Sequence, residues 1–155
     1  MTQRDYVESV SRVIAAPPEK IFAYLADASK HPEIDGSGTV KKVRDDLPTK
    51  LTLGSRFGMD MKLGMSYSMV STVIEFEDNR RIAWQTKPSF GLLDKLFAGR
   101  IWRYVLEPVE GGTKVTESWD ISQDKQRWWL NLTMRKSTGE NMAKTLERIE
   151  ALVTA

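Results

Sequence analysis

Two short turn signals constrain this chain more than anything else in it. "VEGG" at 109–112 separates two runs with aromatic or apolar residues at every second position, IWRYVLEP and TKVTESW. A two-residue loop at Glu110-Gly111 is the connection such a hairpin prefers. It pairs Leu106 with Val115, Tyr104 with Glu117 and Trp102 with Trp119. "EDNR" at 77–80 reads as a second two-residue loop, at Asp78-Asn79, pairing Ile82 with Glu75 and Trp84 with Val73. Residues directly opposite each other share a face, so both hairpins place apolar and aromatic side chains on one side. Glu75 and Glu117 are the exceptions.

The stretch "GSRFGMDMKLGMSYSMV" (54–70) extends the pattern and holds four of the chain's seven methionines. Apolar and polar residues alternate through it with the period of a half-buried strand. An odd-length loop at Leu63-Gly64-Met65 puts Phe57, Met59 and Met61 on one face with Tyr67, Met69 and Val73; a two-residue loop would send Tyr67 and Met69 outward with Asp60 and Lys62. The odd loop keeps one apolar face across the sheet. Strands are expected at 5–15, 38–47, 55–63, 65–77, 80–87, 99–108 and 113–121. "APPEKIFAYLAD" starts a helix with Pro17 or Pro18 in its first turn, where a missing N–H is harmless. "SKHPEIDGSG" reads as a short turn or helix followed by a loop. From about 125 the chain is helical: Trp128, Leu132, Gly139, Met142, Leu146, Ile149 and Val153 form one stripe, broken only by Arg135. Ser137 and Glu140 also match a capping box, so the helix is expected to restart there. Strand, helix, meander, helix is an α+β arrangement in one domain, 1–155.

Composition closes off several function classes. With 155 residues the chain can bury about 68–70% of its unfolded surface. Net charge is +2 with no long block of either sign, so no nucleic-acid footprint is present. There is no cysteine and one histidine, His31, which leaves no thiol chemistry and too few ligands for a zinc site; no metal or cofactor is expected. No apolar leader and no run near 18 apolar residues is present, so a cytoplasmic protein without stable membrane insertion is expected.

Three stretches resemble the SRPBCC superfamily, the START-like, helix-grip group that includes polyketide cyclases, lipid-transfer domains and plant pathogenesis-related allergens. They are "VIAAPPEKIFAYLADASKHPEI" (13–34), "STVIEFEDNRRIAWQ" (71–85) and "GTKVTESW" (112–119) followed by a long helix. The resemblance implies a helix-grip fold: a curved antiparallel sheet wrapped around the C-terminal helix, with two short helices after the first strand. It also implies a cavity between sheet and helix for hydrophobic or amphipathic small molecules. It does not choose among cyclases, dehydratases, carriers and sensors, because fold alone does not fix function.

The inward face is then either packed core or cavity wall. Flexible Met side chains stand where Val and Ile normally pack, and Trp and Tyr join an apolar body to a polar handle, which favours a wall. The candidate ligand-binding residues are Phe57, Met59, Met61, Tyr67, Met69, Val73, Trp84, Trp102, Tyr104, Trp119, Leu132 and Met142. Glu117 is the candidate acid–base residue, with Tyr104 opposite it; burial among apolar groups would raise its pKa. The alternatives are a twist that turns Glu117 to solvent or an arginine that pairs with it. Glu75 shares the parity but lies nearer a hairpin end. His31 is read as a surface or turn-packing residue, with a place at the cavity rim as the alternative. Residues 89–99, "SFGLLDKLFAG", are close to an amphipathic helix that closes the core, acts as a lid, touches a membrane transiently or forms a dimer contact. Trp128 and Trp129 cannot both point inward. The expected function is binding of a lipid, isoprenoid or polyketide-like molecule by a monomer or homodimer, with a cyclase or dehydratase as the alternative.

Overall fold

The Pro-Pro pair places the first helix. In a computed structural model of the chain, Pro17 is extended at the N-cap and Pro18 opens α1 (Pro18–Leu25). Ile21, Phe22 and Leu25 are its buried face. The structure describes residues 3–38, 40–43, 50–63, 65–88 and 99–155, without the side chains of 3–4, 40–43, 59–63, 65–68 and 88. The strands are β1 (Val7–Ile14), β2 (Val40–Val43), β3 (Arg56–Leu63), β4 (Met65–Glu77), β5 (Arg81–Pro88), β6 (Arg100–Val109) and β7 (Gly112–Asp120). A short α2 (His31–Ile34) follows α1, and α3 (Arg127–Thr154) ends the chain. The strands form one antiparallel sheet in the order β1-β7-β6-β5-β4-β3-β2, with α3 packed against β1 and β7. This is the helix-grip fold. No helix among the described residues is long and apolar enough to cross a membrane.

The register at 109–112 is the expected one: Leu106 faces Val115, Tyr104 faces Glu117 and Trp102 faces Trp119. Gly111 has φ 87, the left-handed conformation such a turn requires. The odd loop between β3 and β4 also holds, with Met59 opposite Met69 and Met61 opposite Tyr67. The turn after β4 differs. Glu77 pairs with Arg81, so three residues form the loop, with Asn79 left-handed at φ 61. Ile82 therefore faces Phe76, and Glu75 faces Ala83. An irregularity between Val73 and Glu75 takes up the extra residue and returns Trp84 to Val73. Glu75 thereby falls on the outer face, where Arg103 donates to it from Nε at 3.0 Å.

The long helix runs unbroken through Ser137, whose hydroxyl donates to the Met134 carbonyl at 3.1 Å instead of capping a new start. Its buried residues are Leu130, Thr138, Met142, Thr145, Leu146, Ile149 and Val153. Trp128, Trp129 and Leu132 are 64%, 46% and 77% exposed. The expected stripe is thus correct from Met142 onward and misphased before it. Leu132 lies two residues from Leu130, about 200° around the helix. Arg135, the polar break in that stripe, ties α3 to β1: it pairs with Glu8 and donates to the Asp5 and Val7 carbonyls at 2.9 and 3.2 Å.

Candidate ligand cavity

Cross-strand register sorts the inner face into rungs. Val73, Trp84, Trp102 and Trp119 occupy one rung across β4 to β7. On one side of it stand Ile82, Tyr104 and Glu117; on the other, Ser71, Thr86 and Arg100. Over this face lies a cavity of about 440 Å³, within the range of small-molecule sites, about 300–1,000 Å³. Its floor is Phe57, Met69, Ser71, Trp84, Thr86, Arg100, Trp102, Tyr104, Glu117 and Trp119; its roof is Met134, Ser137, Thr138, Asn141, Met142 and Thr145 of α3. His31, Ile34, Asp35 and Ser37 close one side. Gly36 sets that side against the helix. Its N–H donates to Thr145 Oγ1 at 2.9 Å, and a Cβ there would lie 2.4 Å from the Asn141 carbonyl oxygen, so no larger residue fits.

Many polar groups line the wall, and a few of their buried atoms have no hydrogen-bond partner among the described residues. Glu117 is 3% exposed and accepts one hydrogen bond, from the Tyr104 hydroxyl to Oε1 at 2.7 Å. Its Oε2 has no partner among the described residues. Burial raises its pKa to about 8, aided by the charge of Asp35 and opposed by the Tyr104 bond. The carboxyl is therefore mainly protonated at neutral pH. Burial also moves the Tyr104 phenol well above its ordinary range, so it stays a donor. His31 is 4% exposed and stacks on Trp84, ring centroids 4.9 Å apart, with Phe57 edge-on at 5.3 Å. Its Nε2–H donates to the Leu25 carbonyl at 2.9 Å, which leaves Nδ1 as an acceptor without a partner among the described residues. Burial lowers its pKa to about 4, so the ring is neutral. Among the described residues no group of three or more His, Asp or Glu side chains is arranged to hold a metal ion.

The family described as "Polyketide cyclase / dehydrase and lipid transport" matches residues 8–154. The chain belongs to this family. An uncharacterized protein of Mycobacterium tuberculosis is 36% identical over 109 residues, 69% of this chain and 44% of that protein, so the chain spans less than half the length of that relative. A protein of known structure from Chromobacterium violaceum superposes with a TM-score of 0.73 at 17% identity, covering 97% of this chain and 98% of that one. The di-domain aromatase/cyclase StfQ of the steffimycin biosynthetic pathway gives 0.70 at 15% identity, covering 98% of this chain and 52% of its own. At these identities the structural matches establish the fold.

In this member of the polyketide cyclase and lipid transport family, the expected wall residues Phe57, Met69, Trp84, Trp102, Tyr104, Trp119 and Met142 do line the cavity. The side chains of Met59, Met61 and Tyr67 lie outside the described residues. Two expectations are corrected. Val73 is 1% exposed within the main core cluster and absent from the wall, since its short side chain is enclosed beside its larger rung neighbour Trp84. Leu132 faces away, for the helical phase already given. Glu117 is buried and meets Tyr104, with no arginine partner among the described residues. His31 is buried and part of the wall rather than on the surface. Residues 89–98 lie outside the described residues. Sequence reasoning missed Arg100, Ser71, Thr86 and the polar roof of α3. Ser71, Thr86 and Arg100 are legible from strand parity; Thr138, Asn141 and Thr145 are not, because polar residues carry no hydrophobic periodicity.

Proposed function

We propose that the cavity binds one hydrophobic or amphipathic small molecule, a lipid, isoprenoid or polyketide-like compound. The observation that carries this reading is a roughly ligand-sized space lined by aromatic rings, methionines and polar side chains, in whose wall Glu117 Oε2 and His31 Nδ1 have no partner among the described residues. Buried polar groups are normally satisfied, and a bound molecule with a carbonyl and a hydroxyl would satisfy both: the Glu117 acid donates, the neutral His31 accepts. Native mass spectrometry of gently purified protein is the test. The expected result is a 1:1 adduct of a small organic molecule that is lost on denaturation. Protein that stays free of adduct, and takes up none from a total lipid extract, would contradict the reading.

A second reading is favoured by one observation. A carboxylic acid kept protonated near neutral pH beside a phenol donor can polarise a carbonyl or deliver a proton, as a cyclase or dehydratase requires. On that reading Glu117→Gln preserves folding and binding but slows turnover by about 10²–10⁴. Turnover that survives the change would remove Glu117 from the chemistry.

A further inference from the structure

Two arginines on β6 face opposite ways and are engaged very differently. Arg103, on the outer face, donates to Glu75 through Nε and lies 3.7 Å from Asp120. Arg100, on the inner face, lines the cavity, and its ion-pair contact is a long one, Nε to Asp124 Oδ2 at 3.5 Å. Neither of those atoms makes a hydrogen bond among the described residues. Asp124 is completely buried, and its other oxygen accepts from the Gln126 N–H at 2.9 Å. It therefore sits as a fixed anion against one edge of the guanidinium. A guanidinium has five N–H donors in a planar fork. With Asp124 at the Nε edge, the Nη edge makes no hydrogen bond among the described residues, and Arg100 lines the cavity.

Register shows what lies beyond. Arg100 shares its rung with Thr86 and Ser71, whose hydroxyls bond each other at 2.8 Å. Next comes the tryptophan rung, then Tyr104 and Glu117. Each step along a strand to the next inward residue is about 7 Å, so Arg100 and the Tyr104 rung are about 13 Å apart along β6. The floor thus runs from a cationic, hydroxyl-bearing end, over three indoles, to a buried carboxyl. Asp35, at the Glu117 end, acts electrostatically on both Glu117 and Tyr104.

We propose that Arg100 receives a carboxylate, or an equivalent oxyanion borne on the ligand, at one end of an elongated amphipathic molecule whose apolar body lies along Trp84, Trp102 and Trp119. This rests on the ligand-binding reading above and narrows it to organic acids over neutral lipids. Because Asp124 already offsets the charge of Arg100, recognition comes from directed hydrogen bonds more than from net field. The loss on removing Arg100 is then about tenfold or more in affinity, the scale of a charge-assisted hydrogen bond.

The test uses two fluorescent probes with the same carbon skeleton, 1-anilinonaphthalene-8-sulfonate and neutral N-phenyl-1-naphthylamine. Arg100→Gln is expected to weaken the sulfonate about tenfold or more and the neutral probe less than about twofold. Arg100→Lys, which keeps the charge without the fork, should fall between. Equal effects on both probes would overturn the proposal. The wild-type protein supplies a version that needs no variant to fold: 2-naphthoate should displace N-phenyl-1-naphthylamine about tenfold better than 2-naphthamide, and inorganic phosphate should not displace it. Equal displacement by acid and amide, or displacement by phosphate, would overturn it. If the neutral probe binds and the sulfonate does not, only the Arg100 assignment fails; if neither binds the wild-type protein, the binding reading fails with it.

Discussion

The two halves of the last helix lie over the same sheet and do opposite things. From Leu146 to Val153 the helix seals the core: Leu146, Ile149 and Val153 are at most 2% exposed and join Ile14, Ile21, Phe22, Leu25, Leu106 and Val115 in one cluster. From Met134 to Thr145 it roofs a space, and the side chains over that space include Ser137, Thr138, Asn141 and Thr145. Hydrophobic burial at about 25 cal/mol per Å² holds the first half in place. The second half is held more by polar ties at its edges, from Arg135 to β1 and from Gly36 to Thr145. Stability and binding are thereby assigned to different ends of one element.

Paired truncations break or sharpen that division. The largest effect is expected from Leu146→Ala, which should destabilise by about 2–5 kcal/mol through lost burial and a residual void. At the other end, Leu132→Ser should change stability by less than about 0.5 kcal/mol, because the side chain already faces solvent. Chemical denaturation of both variants checks this. Comparable losses would mean that the helix presents a different face to the sheet.

A smaller, pH-dependent effect is expected at the wall. Glu117 has a folded pKa of about 8 against 4.5 unperturbed, so the folded state keeps a proton that the unfolded chain releases between those values. Its contribution is intact below pH 4.5 and declines as pH rises toward 8. His31 acts in the other direction. Its folded pKa is about 4 against 6.5, so stability falls as pH drops from 6.5 toward 4. Glu117→Gln cannot ionise, so its melting temperature relative to wild type should climb steadily from pH 5 to pH 8. A pH-independent difference would show that the carboxyl is not held as a buried acid.

Much of the sheet was legible because turn chemistry sets parity. Gly111 permits the two-residue turn that brings Glu117 to Tyr104. At Asp78-Asn79 the same reasoning missed one residue in the loop, yet Trp84 still met Val73, because the irregularity before Glu75 removed the offset. What changed was the fate of Glu75, which moved to the outer face. The roof was less legible. A helix that covers a cavity carries Thr138, Asn141 and Thr145 inward, so its hydrophobic stripe is interrupted where it matters. Leu132 then completes a false stripe with Trp128. His31 is a single residue without periodicity, and only the packing around Trp84 gives it a place.

The central claim is that the space beneath the roof is a binding site rather than loosely packed core. Titration with N-phenyl-1-naphthylamine, followed through protein Trp emission in wild type and Met69→Trp, tests it most directly. Met69 lies on the wall, and an indole there would occupy the space. The account predicts saturable binding of about one probe per chain with altered Trp emission in wild type. It predicts loss of binding in the variant, with a melting temperature near that of wild type. No binding to wild type, together with a destabilisation of about 1–3 kcal/mol in Met69→Trp from overpacking, would contradict it.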